Sequence, residues 1–182
     1  MRGRRLRGPR IELRPLALSD APALDRILWD GHVTRYLPPL VRRESGEEFV
    51  RRVLQGQRQG DGVAFVIVPR GVRDAVGQIR FFHWSRETRD AELGYWLRRS
   101  EWGQGWATEA VGLACRFGVR AMRLRRIEAL VLDGNRASVR VLEKAGFHLE
   151  GRSRQSERLS RGWVDELRFG LLARELRTLS AR

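Results

Sequence analysis

The chain has 182 residues, of which 42% are hydrophobic and 32% are charged, and its formal net charge is +14. This length and composition suit one globular domain with a sizeable core. No apolar run reaches the roughly 18 residues that a membrane span requires. Cys115 is the single cysteine, which excludes an internal disulfide and favours a reducing, cytoplasmic location.

In chain order, the predicted elements are a strand at 11–16, helices at 21–29 and 44–57, strands at 63–68, 76–83 and 91–97, a helix at 107–121, a strand at 126–132, a helix at 135–144, and strands at 147–152 and 164–172. Ser19 and Asp20 are expected to cap the first helix. The nearly continuous apolar run at 63–68 predicts a strand buried on both faces. These patterns indicate a mixed α/β fold.

We expect one domain at 10–176, a flexible basic tail at 1–9 and a C-terminal tail at 177–182. The basic N-terminus lacks the apolar stretch of a secretory signal. All of the 36 basic residues except Lys144 are arginine, a bias that a GC-rich genome would also produce. The charge favours anionic ligands. No RNP, zinc-finger or KH motif accompanies it, so nucleic acid is not the expected partner.

The main functional motif is a glycine-containing loop between the strand at 91–97 and the helix at 107–121. It spans Trp102-Gly103-Gln104-Gly105-Trp106-Ala107-Thr108. The start of a helix has free backbone N–H groups, and glycines let an anion come close to them. The loop is neither a Walker A motif nor a GxGxxG motif, because no Lys-Ser/Thr pair follows and position 108 is threonine. It therefore predicts a pyrophosphate cradle of another kind.

Three segments in order carry a family resemblance: ELGYWL at 92–97, WGQGWATEA at 102–110 and NRASVRVLEKAGF at 135–147. They resemble the Gcn5-related N-acetyltransferases, and within that superfamily the ribosomal-protein N-acetyltransferase (Rim) branch. The resemblance implies a mixed, mostly antiparallel sheet of about seven strands with about four helices. It also implies a V-shaped split between the fourth and fifth strands. The implied co-substrate is acetyl-CoA, no metal is implied, and relatives are often dimers.

The resemblance also implies roles for individual residues. The expected acetyl-CoA contacts are Tyr95, Trp96, Leu97, Trp102, Gly103, Gln104, Gly105, Trp106, Ala107, Thr108, Asn135 and Ser138. Many relatives have a tyrosine acid at the position of Leu142, and in its absence Ser138 is the expected acid. Glu92 is the expected base. Trp29, Tyr36 and Asp165 are the expected acceptor contacts.

Ordinary structural roles remain open for three of these residues. Asn135 is a preferred helix cap, Ser138 a common first-turn residue, and Glu92 an ordinary surface carboxylate of a strand. His32, His83 and His148 share no metal-ligand spacing, and Cys115 lies at packing spacing in a helix.

The expected function is transfer of acetyl to a primary amine, most simply a protein N-terminal amine, by direct attack in a ternary complex. An α-amine has a pKa of about 7.7–8.0, so neutralising it at pH 7 costs about 1 kcal/mol, against about 4.6 kcal/mol for lysine. A net charge of +14 would repel basic ribosomal proteins, so a small amine remains an alternative acceptor. The other alternative is a non-catalytic acyl-CoA-binding module.

Overall fold

The computed structural model describes residues 4–38, 41, 44–159 and 162–179, including the side chains of all of these except 177–179. The strands are β1 (Leu6–Arg7), β2 (Ile11–Pro15), β3 (Val63–Pro69), β4 (Gly77–Ser85), β5 (Asp90–Leu97), β6 (Arg126–Leu132), β7 (His148–Leu159) and β8 (Gly162–Leu172). The helices are α1 (Ala21–Leu28), α2 (Gly31–Thr34), α3 (Gly46–Gln59), α4 (Trp106–Arg120), α5 (Arg136–Lys144) and α6 (Ala173–Leu179).

The strands form one sheet of eight strands in the order β1-β2-β3-β4-β5-β6-β8-β7. Every neighbouring pair is antiparallel except β5 and β6, which run parallel. β5 and β6 pair only from Asp90–Arg126 to Glu92–Glu128, and beyond that point the two strands continue unpaired to Leu97 and Leu132. The predicted mixed, mostly antiparallel fold is confirmed, with a parting of β5 from β6 where the split was expected.

Helices cover both faces of the sheet. One core contains α4 with residues such as Ile79, Phe81 and Leu93, and the other contains α1 and α3 with Val66 and Trp96. Because side chains alternate along a strand, even-numbered residues of β5 and of the segment 77–82 of β4 face α1–α3, and odd-numbered ones face α4. β3 is buried along its whole length, as its apolar sequence predicted.

Local sequence signals define both ends of α3. Ser45 caps α3 in a capping box with Glu48, and Gly60 ends that helix in a left-handed conformation at φ 86°.

Cys115 is fully buried in α4, and this burial raises the pKa of its thiol to about 12, so its role is packing.

The structure corrects several predicted boundaries. β1, within the expected N-terminal tail, pairs with β2; residues 1–3 of that tail lie outside the described residues. α2 and α6 were not predicted, since helices of four and seven residues are too short to show periodicity. α6 also extends into the expected C-terminal tail, whose residues 180–182 lie outside the described part. β7 and β8 are longer than predicted, because much of this hairpin is exposed and polar.

The predicted cap of α1 is also wrong in detail. Asp20 makes no side-chain cap hydrogen bond to α1, which follows a 3-10 turn at Leu18–Asp20. Its buried carboxylate instead accepts hydrogen bonds from Ala17 N at 2.9 Å and from the Arg14 guanidinium at 2.5 and 2.8 Å. Asp20 therefore ties β2 to the start of the α1 segment.

In the described part of the chain, no helix is long and apolar enough to cross a membrane. Across the same residues, His, Cys, Asp and Glu side chains form no group of three or more that could hold a metal ion.

Candidate active site

A cleft of about 550 Å³ opens where β5 and β6 part. One side is lined by residues from the segments 101–108 and 134–144, which contain the starts of α4 and α5. We call it the glycine-loop side. The other side is lined by polar residues of β4, β5, β7 and β8 and by residues of the α2–α3 region. We call it the carboxylate side. The split in the sheet thus joins two chemically different surfaces.

The glycine loop leaves backbone donors free at the start of α4. Gly103 and Gly105 have φ values of 80° and 77°, a region that favours glycine. Gly105 caps α4 without a side-chain hydrogen bond, and the first helical bond runs from Glu109 N to Gly105 O at 3.1 Å. The N–H groups of Trp106, Ala107 and Thr108 therefore have no partner within the helix. Such a helix start binds phosphate oxygens.

Side-chain contacts hold this loop in place. The Trp102 indole donates to Leu97 O at 3.0 Å, which pins the loop to the end of β5. Arg10 donates to Gln104 O at 2.9 Å and to the Glu109 carboxylate at 3.0 Å. A Cβ on Gly105 would lie 3.1 Å from the Arg10 guanidinium. The cradle is thus preorganised, with the Arg10–Glu109 ion pair beside it.

The opposite wall of the glycine-loop side is the start of α5. Asn135 Oδ1 accepts from Ser138 N at 3.2 Å, so Asn135 is the cap of α5. Cationic side chains of α5 also line the cleft, namely Arg136, Arg140 and Lys144. Free amides, glycines and cations together fit a pyrophosphate-containing ligand.

Tyr95 and Ser138 meet across the split. The Tyr95 hydroxyl lies 2.8 Å from Ser138 Oγ and 3.3 Å from Ser138 O. Burial raises the pKa of the Tyr95 phenol well above its ordinary value, against the opposing effect of the hydrogen bond to Ser138, so both hydroxyls remain protonated at neutral pH. Leu142, the position at which the resemblance led us to look for a tyrosine acid, is fully buried.

Glu92 lies at the last paired position before the split. Its Oε2 is 3.3 Å from His83 Nδ1, and His83 holds a strained backbone at φ 51°. Burial raises the pKa of the Glu92 carboxyl, and nearby His83 opposes the rise. A carboxylate with a raised pKa is a stronger proton acceptor, which suits a general base.

Two carboxylates that the sequence did not indicate also line the carboxylate side: Glu157 of β7 and Glu166 of β8. Burial, followed by the charges of Glu157 and Glu92, raises the pKa of Glu166. Gln78 and Arg80 of β4 line the same side and were likewise missed. Their signal was present in the sequence: polar residues at alternate positions of an otherwise apolar strand indicate one polar face.

The structure places most of the expected site residues in this cleft. The lining includes Glu92, Tyr95, Trp96, Leu97, Trp102, Gly103, Gly105, Trp106, Ala107, Thr108, Asn135, Ser138 and Tyr36. Tyr36 also donates to Gly134 O at 3.1 Å. Gln104 lies outside the lining and contributes only its carbonyl to the Arg10 contact.

Two expected acceptor contacts are not in the cleft. Trp29 follows the end of α1 and is 81% exposed. Asp165 accepts from Arg152 Nε at 2.5 Å and from Gln155 N at 2.8 Å, which directs its carboxylate to the β7–β8 hairpin. Its neighbour Glu166 lines the cleft instead, because adjacent residues of a strand face opposite sides.

Residues 10–148 match the family model of the acetyltransferase (GNAT) domain. An N-acetyltransferase of Bacillus licheniformis, p20, is 31% identical over 168 residues, covering 91% of this chain and 94% of that protein. The ribosomal-protein-serine acetyltransferase of Escherichia coli is 30% identical over 65% of this chain and 68% of that protein. Among solved structures, Mycobacterium smegmatis RimJ in complex with CoA-disulfide has a TM-score of 0.86 and 27% identity, covering 100% of this chain and 97% of that one. The chain therefore belongs to the GNAT family and is an acetyl-CoA-dependent acetyltransferase.

Proposed function

We propose that this enzyme acetylates a primary amine by direct attack in a ternary complex, and that the amine is the α-amine of a protein N-terminus. The observation that carries the proposal is the placement of Glu92 at the apex of the split, where the carboxylate side meets the glycine-loop side. A single carboxylate base suffices for an α-amine, whose neutralisation at pH 7 costs about 1 kcal/mol. The similarity to the E. coli ribosomal-protein-serine acetyltransferase also supports an N-terminal acceptor.

The bound acetyl-CoA supplies an activated acetyl thioester. The start of α4 holds its pyrophosphate, with help from the cations of α5. Residues 93–97 of β5 have no β6 partner, which leaves backbone groups on that edge of the strand available to the rest of the co-substrate. An amide aimed at the carbonyl oxygen would stabilise the negative charge that develops there.

Two proton transfers complete the reaction. Glu92 accepts the proton that the attacking amine loses as the new C–N bond forms. The hydroxyl pair of Ser138 and Tyr95, joined at 2.8 Å, donates a proton to the departing thiolate as the C–S bond breaks. Solvent then returns a proton to the pair, and Glu92 releases to solvent the proton that it accepted, so the enzyme regains its starting protonation state.

An acceptor panel tests the proposed function. Purified enzyme and acetyl-CoA are mixed with peptides that have a free N-terminus and no lysine, with N-terminally blocked lysine peptides, or with small amines, and CoA release is measured. We expect the free N-terminal peptides to be the best acceptors. Glu92→Gln should abolish most turnover at neutral pH while it leaves CoA affinity unchanged. Preference for blocked lysine peptides would contradict the proposal.

A small cationic amine is the second candidate acceptor. Glu92, Glu157 and Glu166 interact electrostatically on the carboxylate side and would attract an additional positive charge. A panel in which small amines outperform every peptide would favour this candidate. CoA binding without transfer to any amine would instead indicate the non-catalytic module.

A further inference from the structure

The carboxylate side contains a buried amide oxygen that has no hydrogen-bond partner among the described residues. Gln78 is 2% exposed and lines the cleft, and its Oε1 has no partner within the described residues. A buried polar atom without a partner destabilises the folded protein. The free protein therefore carries an acceptor atom ready for an N–H group of a bound molecule.

Arg80 lies two residues along β4, on the same face as Gln78. Its guanidinium makes no hydrogen bond or ion pair with the described residues, and its Cζ lies 4.5 Å from the centroid of the Phe82 ring and 5.6 Å from that of the Phe49 ring. Burial lowers the pKa of Arg80 to about 10, so the side chain is still cationic at neutral pH. A planar guanidinium fork matches the two oxygens of a carboxylate.

Arg80 and Glu92 lie on one face of the sheet without touching. Arg80 of β4 lies opposite Gly94 of β5, and Phe82 lies opposite Glu92. Arg80 and Glu92 are therefore diagonal neighbours, whose Cα atoms lie about 7–8 Å apart in an antiparallel ladder. The Phe82 ring lies over Gly94, with its Cε1 3.1 Å from where a Cβ of residue 94 would stand, so an aromatic ring lies beside both charged groups. The two charges attract each other but form no ion pair. A molecule with an ammonium group at one end and a carboxylate at the other would satisfy both.

We infer that the acceptor carries a carboxylate close to its reacting amine, and that Arg80 binds this carboxylate while Glu92 receives the amine and Gln78 accepts from an acceptor N–H. The amine end of this inference rests on the proposed function. The same side also carries Glu157 and Glu166, whose negative charges favour the ammonium end of the ligand near Glu92. Its apolar residues are Phe49, Phe82, Trp96, Leu130 and Leu132. The carboxylate belongs either to a free apolar amino acid or to an acidic residue next to a peptide N-terminus. A net charge of +14 would attract either source.

Calorimetric titration of the CoA-saturated enzyme tests this inference. One pair of ligands is leucine and leucinamide, and a second is a pair of C-terminally amidated peptides that begin Ala-Asp or Ala-Asn. We expect a carboxylate ligand to bind at least about tenfold more tightly than its amide partner. A preference in the first pair alone indicates a free amino acid, which would support this inference and contradict the protein N-terminus as acceptor. A preference in the second pair indicates an acidic peptide, which agrees with both.

Three variants assign the preference to Arg80. Arg80→Gln should abolish the preference for the carboxylate ligand, and Arg80→Lys should retain only part of it, because lysine keeps the charge without the fork. Arg26→Gln is the matched control, because Arg26 lies on the exposed surface of α1 and forms an ion pair with Asp74. The CoA affinity of each variant reports whether it is folded.

The outcomes separate this inference from the proposed function. Equal binding of both members in each pair, or binding of none of the four ligands, would overturn the inference. So would an Arg80→Gln variant that loses affinity for acid and amide equally, since the role of Arg80 would then be structural. A clear carboxylate preference without acetyl transfer would support the inference and contradict the proposed amine transfer.

Discussion

The two sides of the cleft differ in how completely their polar groups are satisfied. On the glycine-loop side, Arg10 bonds Glu109 and Gln104, the Trp102 indole bonds Leu97 O, and Asn135 caps α5. On the carboxylate side, Gln78 Oε1 has no partner in the described residues, and burial raises the pKa of Glu92 and Glu166. On the first side the side chains of Arg10, Trp102 and Asn135 are paired before the ligand arrives and backbone donors remain for the ligand, whereas the second side carries a buried side-chain group without a partner and buried carboxylates that a ligand would relieve.

This contrast makes opposite predictions for substitutions on the two sides. Changes on the glycine-loop side should reduce binding or turnover without stabilising the protein. Changes that neutralise an unsatisfied group on the carboxylate side should stabilise the free protein while they impair acceptor use.

The largest effect is expected for Ser138→Ala. Loss of a general acid typically costs 10²-fold to 10⁴-fold, so kcat should fall by about 100-fold or more. CoA affinity should be nearly unchanged, because Asn135 caps α5 through the Ser138 backbone N–H, which alanine keeps. Steady-state kinetic assays measure kcat, and titration with CoA measures the affinity. Ser156→Ala, which removes an exposed hydroxyl on β7, is the control. Unchanged turnover in Ser138→Ala would remove Ser138 from the mechanism.

A smaller effect is expected for Gly105→Val, which should weaken the binding of CoA. A β-branched residue is strained at a φ of 77°, and its Cβ would press on the Arg10 guanidinium at 3.1 Å. We expect the Kd for CoA to rise by at least about tenfold, or about 1.4 kcal/mol. Gly71→Val matches the strain at a φ of 81° in a turn where a Cβ meets no atom within 4 Å. If both variants bind CoA like the wild type, the loop does not hold the pyrophosphate.

The same contrast explains what the sequence could predict. The glycine-loop side is built from contiguous segments, a loop followed by a helix start and Asn135 before the next helix, so local signals were sufficient. The carboxylate side combines Arg80 of β4, Glu92 of β5 and Glu166 of β8. Only the sheet order, in which β6 lies between β5 and β8, brings these residues together. For the same reason Asp165 was expected in the cleft in place of Glu166: strand parity was not known without the register.

On the carboxylate side, Gln78→Met should raise stability. Methionine has a similar shape and removes the unsatisfied amide, so we expect a gain of about 1 kcal/mol, or a rise in Tm of about 2–4 °C. Calorimetry of the ligand-free protein measures this. Gln57→Met is a matched control with the opposite sign, because Gln57 Oε1 accepts from Ala64 N at 3.1 Å. A lower Tm in Gln78→Met would mean that the Gln78 amide is already satisfied in the free protein.

The smallest effect is expected for Glu166→Gln, and it depends on pH. The folded-state pKa of Glu166 is raised by burial and by the charges of Glu157 and Glu92. A raised pKa stabilises the fold fully below the unfolded-state value of about 4.3 and stops doing so as pH rises through the folded-state value. At pH 8 the wild type therefore holds an ionised carboxylate in an unfavourable place, and Glu166→Gln should have the higher Tm. Near pH 4 this advantage should vanish.

Thermal unfolding across this pH range tests the effect, with Glu87→Gln in the exposed β4–β5 turn as the control that should show no such trend. A Glu166→Gln variant less stable than the wild type at pH 8 would show that Glu166 is held by favourable contacts. The carboxylate side would then resemble the glycine-loop side, since its charge would be compensated within the protein. The expected result, in contrast, leaves the Glu166 charge as a cost that the free enzyme carries until a bound acceptor offsets it.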